Sequence, residues 1–177
     1  MKTLIVYATK YGSTKEIVNW MKERIEFEVK DFNVKDAPSP KDYDLVIIGG
    51  PVYEERILKG VEEYIEKYKE ILEEKKVAIF CVCLDTKGVY VRGNIIGGWN
   101  YLMPILRKFK NPPIHAAILH GEINPKKLTE EDKKRLLYFY NKILKKNYTS
   151  VPYRTMMQKQ EVWEFIERLI NKLVYKE

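Results

Sequence analysis

Three aliphatic hydroxyls, a glycine and a lysine stand together in Thr9-Lys10-Tyr11-Gly12-Ser13-Thr14, directly ahead of an apolar helical period. A helix N-terminus carries unpaired amides and the positive end of the helix dipole, so this set suits a phosphate. Gly12 permits a backbone angle that other residues avoid. Thr9, Ser13 and Thr14 add hydrogen bonds without adding charge. A simple helix cap by Ser13 or Thr14 explains part of the same pattern. A second stretch, Gly49-Gly50-Pro51-Val52-Tyr53-Glu54-Glu55-Arg56, pairs glycines with an aromatic. The glycines let backbone approach a ligand closely, and Tyr53 offers a ring face to a planar group. The third, Leu84-Asp85-Thr86-Lys87-Gly88-Val89-Tyr90, opens a connection that runs on to Asn94. Connections of that length are often functional. Its backbone offers donors and acceptors to a polar ring edge, Tyr90 a second aromatic wall, and Lys87 or Arg92 a positive charge. A mobile surface loop is the plainer alternative.

Competing chemistries fail on their spacing. No G-x-G-x-x-G follows the first apolar run, and no G-x-x-x-x-G-K-[ST] occurs, so dinucleotide and P-loop fingerprints are missing. The first run ends Tyr7-Ala8-Thr9, without the carboxylate a phosphoacceptor needs. His115 and His120 lie five apart on one run, which predicts opposite strand faces and no shared metal. Cys81 and Cys83 are too few for a disulfide framework and lack zinc spacing. They read as small buried thiols in a reducing, cytoplasmic compartment.

The elements that must position these stretches follow from periodicity. Leu4 to Ala8 is apolar without alternation, as in a strand buried on both faces. Ile17, Val18, Met21 and Ile25 form a helical stripe. Phe27 to Val34 reads as a second strand, Ala37-Pro38-Ser39-Pro40 as a loop, and Asp44 to Pro51 as a third strand and its exit. A helix is predicted over Leu58 to Leu72, a fourth strand over Val77 to Leu84, a helix over Trp99 to Phe109, and a fifth strand over Ile114 to Leu119. Thr129-Glu130-Glu131-Asp132 opens a further helix in a capping-box manner, and a last helix carries Val162, Phe165, Ile166, Leu169 and Leu173. Strands alternating with helices imply a parallel sheet covered on both faces, with ligands beyond the C-terminal strand ends.

The 177 residues fit one domain, and 45% hydrophobic content is incompatible with intrinsic disorder. No apolar run reaches the length of a membrane span, and Leu4 to Ala8 is too short for a signal-sequence core. The net charge of +7 fits either a solvated Lys/Glu-rich surface with excess Lys or an anionic partner; no nucleic-acid motif is present and nucleic acid is not expected. Residues 126–146 combine lysines with Leu136, Leu137, Tyr138, Phe139, Tyr140, Ile143 and Leu144. That stretch either packs on the sheet or makes a peripheral membrane contact. A homodimer is left open.

The first loop, with its flanking strand and helix, resembles the T-x-T-G-x-T-E phosphate loop of flavodoxins. Asp42-Tyr43-Asp44-Leu45-Val46-Ile47-Ile48-Gly49-Gly50-Pro51-Val52-Tyr53 resembles the third strand and ring-contacting loop of the same family. The resemblance covers most of residues 1–121 and is nearest the subgroup that includes menaquinone-dependent protoporphyrinogen oxidase. It implies a flavodoxin-like five-stranded sheet of order 2-1-3-4-5 with extra C-terminal helices. It implies FMN, with phosphate on Thr9 to Thr14 and the ring between Tyr53 and the segment Asp85 to Tyr90. It further implies oxidoreductase or electron-transfer activity, with a redox partner protein or a quinone. Three departures are plain: Tyr11 stands where many flavodoxins have Thr, the usual Trp of the second loop is absent, and this chain is basic where flavodoxins are typically acidic.

Overall fold

Leu4, Ile5 and Val6 are all fully buried because the strand that carries them lies between two layers of helices. The structure, a computed structural model, describes residues 1–175. In chain order the elements are β1 (Lys2–Tyr7), α1 (Ser13–Lys22), β2 (Glu28–Asn33), β3 (Leu45–Tyr53), β4 (Arg56–Ile57), α2 (Lys59–Lys67), α3 (Lys69–Glu73) and β5 (Lys76–Cys83). There follow β6 (Val89–Val91), β7 (Asn94–Ile96), α4 (Trp99–Leu106), β8 (His115–His120), β9 (Glu122–Ile123), α5 (Glu130–Tyr138), β10 (Arg154–Thr155) and α6 (Lys159–Val174). The main sheet runs β2-β1-β3-β5-β8, with all four pairings parallel. This is the 2-1-3-4-5 order expected.

Alternate residues of each strand feed the two layers. On one face Leu4, Val6, Val46, Ile48 and Ile79 pack with Val61 and Ile65 of α2, Leu72 of α3, and Leu102 and Ile105 of α4. On the other, Ile5, Ile47, Ala78 and Phe80 pack with Ile17, Val18 and Met21 of α1 and with Val162, Phe165, Ile166 and Leu169 of α6. Each of these side chains larger than Ala78 contributes roughly 1.5–3 kcal/mol by leaving water.

Three local readings change. The helix predicted over Leu58 to Leu72 breaks at Tyr68, whose φ of −114° and ψ of 20° leave the helical region, so α2 and α3 are separate. The second predicted loop is extended backbone as far as Tyr53. It then reverses through Glu54 (φ 50°) and Glu55 (φ 64°) into β4, placing Val52 opposite Ile57 and Tyr53 opposite Arg56. Finally, Gly49 and Gly50 are required by packing. A Cβ on Gly49 would lie 2.3 Å from the Phe80 carbonyl oxygen, and one on Gly50 would lie 3.1 Å from both Ala8 and Val61.

After β8 the chain makes an excursion before α6 closes the core. β9 and β10 pair antiparallel, Ile123 with Arg154 and Glu122 with Thr155, so the excursion leaves and returns at one point. It carries α5 and a π-helical turn over Phe139–Ile143.

Candidate functional site

The turn between β1 and α1 forms a cradle that leaves a helix N-terminus open. Ala8 N–H donates to the Gly49 carbonyl (3.0 Å), and Gly12 N–H donates to Thr9 Oγ1 (3.0 Å). Gly12 adopts φ 97°, in the left-handed region that favours glycine. α1 then begins at Ser13 without any side-chain cap, so the chain itself does not occupy the helix terminus. Thr14, in the first turn, is fully buried, and its Oγ1 has no hydrogen-bond partner. A buried hydroxyl left unpaired costs about 1–3 kcal/mol. An uncapped helix start beside an orphaned hydroxyl fits a phosphate group, whose oxygens supply the missing acceptors.

Above the cradle lies a cleft of about 930 Å³ at the C-terminal end of the sheet. Pro51, Val52 and Tyr53 line it from β3, Lys10, Tyr11 and Ser13 from the first turn, and Leu84 and Asp85 from the exit of β5. The Tyr11 and Tyr53 rings lie 6.1 Å apart, tilted by 58°. Burial, with the nearby Tyr11 and Asp132, pushes the Tyr53 phenol well above its ordinary range, so it stays neutral.

Thr86, Lys87, Gly88 and Tyr90 do not border this cleft. Asp85 carbonyl accepts from Gly88 N–H (3.1 Å) and Gly98 N–H (2.8 Å), which folds the connection back on itself. Gly88, Gly97 and Gly98 all have positive φ, and β6–β7 becomes a short hairpin with Tyr90 75% exposed. Tyr101 of α4 supplies an aromatic wall instead.

The remaining wall comes from the excursion: Leu136, Phe139, Tyr140 and Ile143 line the cleft. Periodicity identified that apolar stripe but not what it covers. α5 is fastened to both loops beneath it. Asp132, with a side chain 9% exposed, accepts from Lys10 Nζ at 2.6 Å and from the Tyr11 hydroxyl. Tyr11 in turn accepts from the Thr129 amide (3.3 Å). Burial pushes the Asp132 carboxyl up, but the bonds from Lys10 and Tyr11, with the Lys10 and Arg135 charges, outweigh it and hold the group below the usual carboxylate range. The bond to Asp132 likewise raises Lys10, against a smaller opposing effect of burial. Arg135 bridges Glu131 (2.6 Å) on α5 and Glu54 (2.5 Å) at the β3–β4 turn. The Lys10 ammonium also lies 5.0 Å from the Tyr53 ring centre. The clasp had no signal in local pattern, because Lys10 and Tyr11, which bond Asp132, and Glu54, which pairs with Arg135, lie far away in sequence.

A family profile described as a flavodoxin domain matches residues 4–151. The chain belongs to that family. An uncharacterized protein of Methanocaldococcus jannaschii is 24% identical to this flavodoxin-domain chain over 126 residues, covering 70% of this chain and 81% of that protein. Protoporphyrinogen IX dehydrogenase [quinone] of Escherichia coli is 27% identical over 89 residues, 48% of this chain. That match spans 49% of the enzyme, about half its length. Among solved structures, a flavodoxin from the domain Archaea superposes with a TM-score of 0.54 at 16% identity, covering 99% of this chain and all of that one. Among the described residues no helix is long and apolar enough to cross a membrane, and no group of three or more His, Cys, Asp or Glu could hold a metal ion.

Both histidines of the flavodoxin domain reach the same helix, against the expectation of opposite faces. The His115 ring stacks on Phe165 (5.0 Å) and its Nδ1 lies 3.1 Å from Lys172 Nζ. His120, the last residue of the edge strand β8, meets Glu161 through both backbone and ring. Strand alternation stops applying where the strand ends.

Proposed function

We propose that this protein is an FMN-dependent oxidoreductase of the electron-transfer kind. The observation that carries the reading is the uncapped start of α1 beside the unpartnered Thr14 hydroxyl, set below a cleft with aromatic walls. Thr9, Gly12, Ser13 and Thr14 would hold the phosphate. Tyr53, Tyr11, Leu84 and Asp85 would flank the ring, with Pro51 and Val52 closing its edge. Bound FMN supplies one- and two-electron redox chemistry, and the protein supplies binding, orientation and electrostatics. No side chain is needed as an acid or base. Leu136, Phe139 and Tyr140 limit water access from above, which strengthens every electrostatic contact inside. The purified protein is expected to be yellow and to release FMN on denaturation. A colourless protein that takes up no added FMN refutes the reading.

The apolar excursion wall favours a second version, in which a quinone rather than a redox partner protein takes the electrons. The cleft extends past the ring-flanking residues to Leu128, Leu136 and Ile143, an environment suited to an apolar oxidant. Likeness to the quinone-using Escherichia coli enzyme supports it. Anaerobically reduced protein would be reoxidised by a soluble quinone at saturating rates in this version. In the first version only a carrier protein reoxidises it rapidly.

A further inference from the structure

Thr86, His120 and Glu161 form a continuous hydroxyl–imidazole–carboxylate chain outside the cleft. Thr86 Oγ1 lies 3.0 Å from His120 Nε2, and His120 Nδ1 lies 2.8 Å from Glu161 Oε1. The other carboxylate oxygen of Glu161 accepts the His120 backbone N–H at 3.0 Å. Glu161 thus pins the end of the edge strand β8 twice, while the ring reaches across to the turn that leaves β5. Asp85, beside Thr86, lines the cleft.

The chemistry of the three groups sets the direction of each bond. An ionised carboxylate only accepts, so the nitrogen facing Glu161 carries a proton. In the neutral ring Nε2 is then a lone pair, and Thr86 must donate its hydroxyl proton to it. When solvent delivers a second proton to Nε2, the bond reverses. The ring donates to Thr86 Oγ1, and the Thr86 proton turns away to another acceptor. Both bonds of the ring become charge-assisted and stronger.

We infer that His120 is a positioning residue for the Asp85–Gly88 turn, and that its protonation clamps this turn against β8 and tightens the grip of the neighbouring cleft on a flavin ring. The inference rests on the proposed flavin site. Two residues along the chain from His120, Glu122 accepts from Tyr153 (2.9 Å) and lies 3.7 Å from Lys127; two before Glu161, Lys159 pairs with Glu23 (2.7 Å); Asp85 stands next to Thr86. On β5 the residue in register with His120 is Cys83. His115, the other of the chain's two histidines, is held neutral down to about pH 4 by burial and by the Lys172 and Arg168 charges. It is therefore silent where an imidazole ordinarily titrates, between about pH 5 and 8.

The test measures riboflavin binding to the full-length apoprotein by quenching of flavin fluorescence between pH 5.5 and 8. Riboflavin replaces FMN because a phosphate monoester itself titrates near pH 6. Wild-type affinity should fall as pH rises, by about threefold to tenfold. His120→Gln and Thr86→Val should show a flat profile, and Thr86→Ser should restore the slope. Binding is reciprocal, so riboflavin should cause a displacement of the His120 ring, followed by NMR, toward its protonated form. In Thr86→Val that displacement should vanish. Riboflavin binding with the same pH slope in wild type and in the variants overturns the role of His120 alone. Failure to bind either riboflavin or FMN at any pH overturns the flavin site and this role with it. Should His120→Gln not fold, the Thr86 pair decides the matter by the same measurements.

Discussion

Replacing Asp132 by Ala should move stability and phosphate affinity in opposite directions. The carboxylate accepts from Lys10 (2.6 Å) and Tyr11, and its side chain is 9% exposed against 39% for Lys10. A half-exposed ion pair of this kind contributes about 1 kcal/mol. A hydroxyl bonded to a charged carboxylate contributes about 1.5–3 kcal/mol. The freed ammonium and phenol regain water, so the net loss should be about 2 kcal/mol. With a urea dependence of about 2 kcal/mol per molar, the unfolding midpoint should fall by about 1 M. The pH dependence follows from the sign of the shift. The native carboxyl titrates below its unfolded value of 3.8, so the contribution is present above that value and is lost as pH falls through the lower native one. The gap between wild type and variant should therefore close in acid. Meanwhile Lys10, released beside the anion cradle, should tighten FMN relative to riboflavin, an advantage that salt removes. Urea titrations by circular dichroism at pH 7 and in acid, with FMN and riboflavin titrations at two ionic strengths, measure all of this. Equal midpoints at pH 7, or an unchanged FMN-to-riboflavin ratio, would refute the clasp between α5 and the first loop.

Thr14→Val should leave the apoprotein as stable or up to about 1 kcal/mol more stable, since it removes an unpaired buried hydroxyl, while weakening FMN roughly tenfold; calorimetry of both forms tests it. Glu55→Gly should raise the melting temperature by an amount equivalent to about 1 kcal/mol, because φ 64° is strained for Glu and free for Gly, and it spares the Glu54–Arg135 pair. Protonating His115 should destabilise the fold: the unfolded imidazole binds a proton near 6.5 and the folded one only near 4, so stability falls as pH drops through that window, by about 2 kcal/mol after discounting for partial exposure. Urea midpoints of His115→Phe should lose that component of the acid sensitivity.

The sheet was legible because its strands are buried on both faces, and a run such as Leu45-Val46-Ile47-Ile48 has few other uses in a chain of this size. The first loop was legible because helix-start chemistry is local. Asp132 was not, since it sits 122 residues from Lys10, and nothing near it distinguishes a clasp from a first-turn acidic residue. Tyr101 and Tyr140 were missed for a related reason. An aromatic in an apolar stripe shows that a face is covered, not that it covers a cleft. Tyr90 was placed in the site by proximity in sequence, and three glycines with positive φ carry it elsewhere. The two-residue strands β9 and β10 are too short to leave any periodicity.

That small ribbon has a consequence for how such a protein diverges. Because β9 and β10 join the ends of the excursion, residues 124–153 depart and rejoin at a single neck. Doubling a loop closed in this way costs only about 0.6 kcal/mol in entropy. The sheet is therefore shielded from most changes made beyond the neck, while the first loop answers to them only through Asp132 and Thr129, which bond Lys10 and Tyr11. Insertions, deletions or exchanges there that keep Asp132 and Thr129 in place would recast what the cleft admits while sparing the clasp on the first loop. On the proposed function, a lineage could acquire a new electron partner by editing one appendage, and an engineer could graft one in the same way.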